Sequence, residues 1–187
     1  MATLIKNKRI APDSWQQLKP AADGGSLTLT AGVPLTGDWI VPFAIWNEQR
    51  SQVAGHKNER SGRNGVLLEN TDDPRALAAD FDQLALIAVR FPKFTDGRGY
   101  SIARLLRRLG WKGELRAVGD VLRDQLFYMT RCGFDAFELR ADQDAQVALT
   151  AFSDFSAPYQ PAIDDGARFS AHASRAAVVL INSRSPW

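Results

Sequence analysis

An alternation of strand and helix patterns between Gly65 and Phe152 constrains the fold of this chain more than any other feature. Four strand patterns, GVLLE, LALIAVRF, GELRAVG and DAFEL, are each followed by a helix pattern: DDPRALAADF, SIARLLRRLG, VLRDQLFYMTRCG and DQDAQVALTAF. Units of this kind joined by short connections form parallel sheets with right-handed crossovers. We therefore predict an α/β fold in which four consecutive β-α units form a parallel sheet, with strands beginning near Val66, Leu84, Glu114 and Ala136.

Two architectures accommodate four such units, namely part of a TIM-like barrel and an open flavodoxin-like sheet. Periodicity alone does not separate them. Residues 114–139 are similar to a late barrel unit, because a helix there leads into a strand after the sequence GFDA. The partial TIM-barrel-like arrangement is the favoured prediction, and the open flavodoxin-like sheet is the alternative.

Local signals indicate where the helices begin and end. Asp73 stands directly before Pro74, which is typical of a helix cap followed by a preset first turn. Gly110 and Gly133 follow apolar helix patterns and are predicted to stop those helices. Asp120 precedes VLRDQLF, so it is interpreted as a helix cap as well.

The chain divides into three regions of different character. Residues 1–42 contain the short strand patterns TLIK and SLTLTAG separated by Pro and Gly, which predicts a small N-terminal β region. Residues 43–160 are the predicted α/β core domain, and a helix from Pro42 to about Gly55 opens it. Residues 161–187 form a C-terminal tail, which we expect either to be disordered or to pack on the edge of the sheet.

Composition excludes several classes of function. The 187 residues include 23 basic and 21 acidic ones, and a net charge of +2 is too balanced to indicate nucleic acid or an anionic membrane. The N-terminus has no apolar stretch long enough for a signal peptide or a membrane span, so we predict a cytoplasmic protein without membrane or nucleic-acid partners. Cys132 is the only cysteine, and His56 and His172 are the only histidines. We predict no metal site and no cofactor, because sites that need several Cys or His ligands are excluded.

Polar residues follow the apolar part of each predicted strand. In parallel α/β folds the ligand crevice lies beyond the carboxyl ends of the strands, so these residues are expected along one edge of the sheet. The predicted binding residues are Lys93, Asp96, Arg98, Tyr100, Asp120, Arg123 and Asp124, with Asn70 at the end of the first strand.

The loop FPKFTDGRGYS, residues 91–101, is the strongest candidate within this set. Its glycines allow a ligand to approach the N–H groups in the first turn of the next helix, and Lys93 and Arg98 add positive charge. We expect an oxyanion such as sulfite, sulfate or phosphate to bind near Arg98 and the helix that begins around Ser101. Three carboxylates are candidate acid or base groups: Asp96, Asp120 and Asp124.

The same residues also have structural interpretations. Asp124 lies one helical turn after Asp120 and next to Arg123, as in an ordinary ion network. Lys93 is consistent with a surface lysine, and Tyr100 with a packed ring whose hydroxyl finds a hydrogen bond. The sequence therefore assigns no catalytic residue.

Two long segments, FPKFTDGRGYSIARLLR and GELRAVGDVLRDQLFYMTRCGFDAFELRADQD, resemble bacterial domain-of-unknown-function proteins encoded beside assimilatory sulfite reductase. The resemblance covers residues 38–160 and implies a cytoplasmic protein linked to sulfate and sulfite assimilation. The family has been loosely labelled a probable oxidoreductase. This chain has neither a Gly-rich dinucleotide fingerprint after a strand nor a second cysteine for dithiol chemistry, so its residues do not support that label.

Two hypotheses about function follow. The favoured one is a noncatalytic accessory protein of sulfite reduction, which binds sulfite reductase or its small oxyanion substrate. The alternative is a small-molecule enzyme that acts on a sulfur or phosphate compound. Whether the protein is an enzyme stays open.

Overall fold

The computed structural model describes residues 3–18, 37–48 and 62–154, which form a mixed α/β structure around one sheet. The strands are β1 (Leu4–Lys6), β2 (Arg9–Ala11), β3 (Gln16–Gln17), β4 (Trp39–Pro42), β5 (Asn64–Leu68), β6 (Leu86–Phe91), β7 (Glu114–Gly119) and β8 (Ala136–Glu138). The helices are α1 (Arg98–Arg108), α2 (Leu126–Cys132) and α3 (Ala145–Thr150), with 3-10 segments at Pro74–Gln83, Arg123–Gln125 and Ala151–Ser153. Residues 43–48 are also helical.

The sheet has the strand order β2-β1-β8-β7-β6-β5-β4-β3. Strands β3 to β8 pair in parallel and follow the order of the chain, whereas β1 pairs antiparallel with both β8 and β2. The four strands predicted from sequence are β5 to β8, and their parallel pairing is confirmed. The sheet is larger than that prediction, because β1 to β4 extend it at both edges.

The sheet is curled into a half-barrel. Strands β2 and β3 lie at its opposite edges, yet only five Cα steps separate Ala11 from Gln16. Five steps span at most about 18 Å, whereas the edges of a flat sheet of this size would be about 34 Å apart. Residues 12–15 therefore cross between the two edges on the concave side, where Asp13 forms an ion pair with Arg116 of the central strand β7.

Both faces of the sheet are buried. Strand side chains on the convex face pack against the helices, as Val89 and Leu115 do in one cluster with Leu106 and Met129. Right-handed crossovers from β5 to β6, β6 to β7 and β7 to β8 place the helical segments that connect these strands on this same face. The concave face carries a smaller cluster, made by Ile40, Leu67, Leu86, Ala88 and Val118 together with Trp15 from the N-terminal segment.

The segment Pro74–Gln83 begins as predicted but is a 3-10 segment rather than the α-helix that its pattern suggested. Asp73 caps it by accepting a hydrogen bond from the backbone N–H of Arg75, and Pro74 opens the first turn. Its buried residues are Pro74, Leu77 and Asp80, three positions apart. That period matches the three residues per turn of a 3-10 helix. The buried Asp80 accepts a hydrogen bond of 3.0 Å from the indole of Trp46.

The predicted helix stops are confirmed. Gly110 and Gly133 have φ angles of +100° and +109°, which is the left-handed conformation that ends a helix and that glycine adopts without strain. The pattern TLIK contains β1, whereas SLTLTAG lies outside the described residues. The predicted helix from Pro42 is present over residues 43–48, and its remainder and the tail 161–187 also lie outside. Among the described residues, no helix combines the length and apolarity needed to cross a membrane.

Candidate functional site

The loops that follow β5, β6, β7 and β8 meet at one edge of the sheet, which we call the carboxyl edge. The Nδ2 of Asn70, after β5, lies 2.5 Å from a carboxylate oxygen of Asp96, after β6. Asp120, directly after β7, accepts a hydrogen bond from the loop after β6 and another from Arg140, after β8. Asn70, Asp96 and Asp120 of the predicted set therefore lie along one edge, as the direction of the strands required.

Asp96 is the centre of the first group at this edge. It accepts two hydrogen bonds from the guanidinium of Arg98, at 3.0 and 2.6 Å, and one of 3.1 Å from the backbone N–H of the same residue. The side-chain hydrogen bonds from Arg98 are the main cause that holds the pKa of Asp96 far below its usual value, and the backbone hydrogen bond adds to the effect. The carboxylate thus already occupies the first turn of α1, where an oxyanion was predicted. An incoming anion would have to compete with Asp96 for Arg98.

Asp120 is the centre of the second group. One oxygen accepts the backbone N–H of Phe94 at 2.8 Å, and the other accepts Nη1 of Arg140 at 2.8 Å. The bond from Phe94, with help from Arg140, lowers the pKa of Asp120. The interpretation of Asp120 as a helix cap is wrong, because Leu122 occupies that position and the carboxylate points to the preceding loop. Asp120 instead ties together the loops that follow three neighbouring strands.

Arg123 and Asp124 lie beside this group without joining it. The guanidinium of Arg123 donates to Thr150 and to Asp154, each at 3.0 Å, and its backbone N–H donates to Gln143. Arg123 therefore fastens the start of the α2 region to the end of α3. The exposed Asp124 forms no ion pair with Arg123, so the network predicted between these neighbours is absent from the described residues.

Tyr100 is the inner member of a partly exposed group of rings. Its ring centroid lies 5.3 Å from that of Phe91 and 5.1 Å from that of Tyr128 on α2. Burial is the main cause that raises the pKa of its hydroxyl, and Asp124 is among the charges that add to the effect. The ring-packing interpretation of Tyr100 is confirmed by these contacts.

Two large rings at this edge are open to solvent. Tyr128 is 53% exposed and Phe94 is 49% exposed. The carbonyl of Phe94 accepts a hydrogen bond of 2.7 Å from Gln125, which precedes Tyr128 by three residues and so lies one helical turn away. We call Phe94, Tyr100 and Tyr128 the aromatic patch. Lys93 is exposed beside Phe94 and forms no ion pair with any described residue.

Sequence reasoning missed Phe94 and Tyr128. Their signal was the presence of an aromatic residue in a polar loop and another next to a buried helix position. Sequence reasoning also missed an ion cluster on the concave face. We call it the buried ion cluster because the side chains of Glu114 and Arg116 at its centre are buried, whereas Lys6 and Asp13 at its rim reach solvent. Its signal was the charged pair at alternate positions in the otherwise apolar strand GELRAVG.

Arg116 is the centre of the buried ion cluster and is only 1% exposed. Its Nε and Nη2 both donate to Oε1 of Glu114, at 2.9 and 2.7 Å, and its Nη1 donates to Asp13 at 2.8 Å. The ammonium of Lys6 lies 2.6 Å from the other oxygen of Glu114. The cluster contains two positive and two negative groups, so it is neutral as a whole.

Cys132 is buried on α2 and lies in the convex-face cluster, which is the structural role expected of a small apolar side chain. Within residues 3–18, 37–48 and 62–154, no three His, Cys, Asp or Glu side chains are grouped in a way that would hold a metal ion.

Residues 65–169 match a family described as "Bacterial protein of unknown function (DUF934)". The matched region starts in β5 and includes the carboxyl edge and the aromatic patch. No curated protein matches the chain.

Proposed function

This chain belongs to the DUF934 family of bacterial proteins of unknown function, and we propose that it is an accessory protein of assimilatory sulfite reduction that docks on sulfite reductase. The docking surface is the aromatic patch at the carboxyl edge. We further propose that the curled sheet corresponds to part of a TIM-like barrel, in which partners and ligands bind at this edge. The link to sulfite reductase comes from the resemblance of the two long segments to proteins encoded beside that enzyme.

The observation that carries this proposal is the exposure of Phe94 and Tyr128 on a rigid edge. Large rings on a protein surface are enriched in the centres of protein interfaces, and charged side chains surround such centres. Here the loop that carries Phe94 is held by Asp120 and Gln125, and the ring of Tyr128 packs on Tyr100. A surface with fixed loops loses little conformational entropy when a partner binds.

A small oxyanion is the second candidate ligand of this edge. Arg98 is 58% exposed and Lys93 has no ion-pair partner among the described residues, so both can reach an anion in solvent. Asp96 opposes such binding, because its carboxylate holds the guanidinium of Arg98. Oxyanion binding is therefore proposed as weaker than docking of the reductase.

The small-molecule enzyme is less well supported by the electrostatics of the edge. A general acid or base works best when its pKa lies near the working pH. The pKa values of Asp96 and Asp120 are lowered by their partners, so both carboxylates stay ionised at neutral pH and are weak bases. The same ion pairs that disfavour catalysis give the edge a fixed shape for a partner.

Capture of sulfite reductase from lysate tests the proposal. The bait is the full chain, and the lysate comes from bacteria that assimilate sulfate. We expect the wild-type bait to enrich sulfite reductase. The double variant Phe94→Ala, Tyr128→Ala should enrich it at least about tenfold less, because exposed anchors at the centre of an interface each contribute more than about 1 kcal/mol. Ile10→Ala is the matched control, since Ile10 is exposed on β2, at one edge of the sheet. Equal capture by the wild type and the double variant would exclude the aromatic patch as the docking surface.

Titration with millimolar sulfite separates the second candidate. Binding heat that disappears in Arg98→Ala would establish the oxyanion site, whereas no heat in the wild type would exclude it. Capture of the reductase without sulfite heat is the result expected from docking alone.

A further inference from the structure

A cavity of about 310 Å³ lies on the concave face of the sheet, among the strands and the crossing segment 12–15. Its wall is apolar where Ile40, Leu67, Ala88 and Val118 line it, and polar where Asp13 and Arg116 line it. None of these residues belongs to the aromatic patch. The volume is at the lower end of the range of small-molecule sites, which indicates a ligand of roughly ten non-hydrogen atoms or fewer.

The register of the sheet explains why the space is open. Ala88 pairs with Leu67 on one side and with Arg116 on the other, so a small side chain stands between two long ones on the same face. Arg116 is held to the side of Glu114 by two hydrogen bonds and does not fill the gap. The cavity is therefore a consequence of alanine at position 88.

Glu138 supplies the charge of this cavity. It is the last residue of β8, lines the cavity and is partly buried. Its carboxylate makes no hydrogen bond or ion pair with another described residue, whereas Arg116 is neutralised by Glu114 and Asp13. Since the buried ion cluster is neutral, Glu138 gives the described lining of the cavity one uncompensated negative charge. A partly buried carboxylate of this kind favours a cationic partner.

We propose that the concave-face cavity binds a small organic cation, with an ammonium group paired to Glu138 and a compact apolar body against Leu67, Ala88 and Val118. Trp15 lines the same cavity, but the guanidinium of Arg63 already lies 5.1 Å from its ring centroid, so the indole contributes apolar contact and Glu138 is the cation-binding group. An anionic ligand is disfavoured, because the guanidinium of Arg116 is already shared between two carboxylates. This site is independent of docking at the aromatic patch.

Three probes of similar size distinguish the charge that the cavity accepts: cyclohexylammonium, cyclohexanol and cyclohexanecarboxylate. Affinities are measured on the full chain by ligand-observed NMR titration at one ionic strength. We expect cyclohexylammonium to bind at least about tenfold more tightly than cyclohexanol, which is the size of one charge-assisted hydrogen bond. Equal affinities of these two probes, or tighter binding of the carboxylate, would overturn the proposal.

Two variants locate the site. Glu138→Gln keeps the shape of the side chain and is expected to remove the preference for the ammonium, leaving the affinity for cyclohexanol unchanged. Ala88→Leu is expected to abolish binding of both, because the larger side chain occupies the cavity. Asp82→Asn is the charge-matched control, since Asp82 is exposed and does not line the cavity. A preference for the ammonium that survives in Glu138→Gln, with a native circular dichroism spectrum, would refute the assignment even if Ala88→Leu fails to fold.

Discussion

Replacing Arg116 with methionine is expected to destabilise the protein strongly. The side chain is 1% exposed and donates three hydrogen bonds to carboxylates. Methionine fills most of the volume but leaves Glu114, only 7% exposed, without the guanidinium. Removing one partner of a buried ion pair costs about 3 to 5 kcal/mol. Lys6 still neutralises one oxygen of Glu114, so we expect a loss near the lower limit, about 3 kcal/mol of unfolding free energy.

Equilibrium unfolding in guanidinium chloride, followed by circular dichroism, measures this loss. Arg98→Met is the control, because Arg98 also forms a two-bonded pair with a carboxylate but is 58% exposed, and exposed pairs contribute only about 0 to 1 kcal/mol. The double variant Glu114→Gln, Arg116→Met is expected to be more stable than Arg116→Met alone, because no buried carboxylate is left unpaired. Equal losses of stability in Arg116→Met and Arg98→Met would contradict a buried role for the pair, as would a further loss when Glu114→Gln is added to Arg116→Met.

Two further predictions concern the backbone and pH. Gly119→Ala is expected to lower the unfolding free energy by about 2 kcal/mol or more, because Gly119 has φ +97° and the new Cβ would lie 2.5 Å from the carbonyl oxygen of Phe91. Gly97→Ala is the control, because Gly97 has open space around the Cβ position, and it should change stability by less than about 1 kcal/mol. Equal thermal denaturation midpoints for the two variants would contradict this prediction. The Arg63 side chain lowers the pKa of Asp38 from 3.8 to about 2, so the stability that Asp38 contributes is present above pH 3.8 and is lost as the pH falls towards 2. Asp38→Asn should remove this part of the acid dependence of unfolding, and an unchanged pH profile would show that the pair contributes nothing.

Strands β5 to β8 were predictable because each is a local apolar run with a helix pattern after it. The positions of β1 to β4 were not, because they depend on pairings that a local pattern does not contain. Lys6, for example, pairs with Ala136 in the sheet and forms an ion pair with Glu114. The 3-10 form of Pro74–Gln83 is indicated only by buried positions three residues apart. The same spacing also occurs in an α-helix, so the sequence pattern did not distinguish the two.

The candidate site also combines features that the sequence predicts with features that it does not. The direction of parallel strands was enough to bring Asn70, Asp96 and Asp120 to one edge. The choice of ionic partners was not predictable, since Arg140 reaches back to Asp120 and Arg123 reaches forward to Asp154 rather than to its neighbour Asp124. These distances in sequence follow from how the loops pack, which residue type alone does not reveal.

The pairing of β1 with β8 has a consequence for how the chain reaches its native state. Leu4 to Lys6 find their partners at Ala136 to Glu138, so this contact closes a loop of 130 residues and is made late relative to the local β-α units. During synthesis β1 leaves the ribosome long before β8 exists, and among the described strands β2 pairs only with β1. A nascent chain that stops before Ala136 therefore carries β1 and β2 without the β8 partner of β1, and unpaired strand segments of this kind pair readily with other chains.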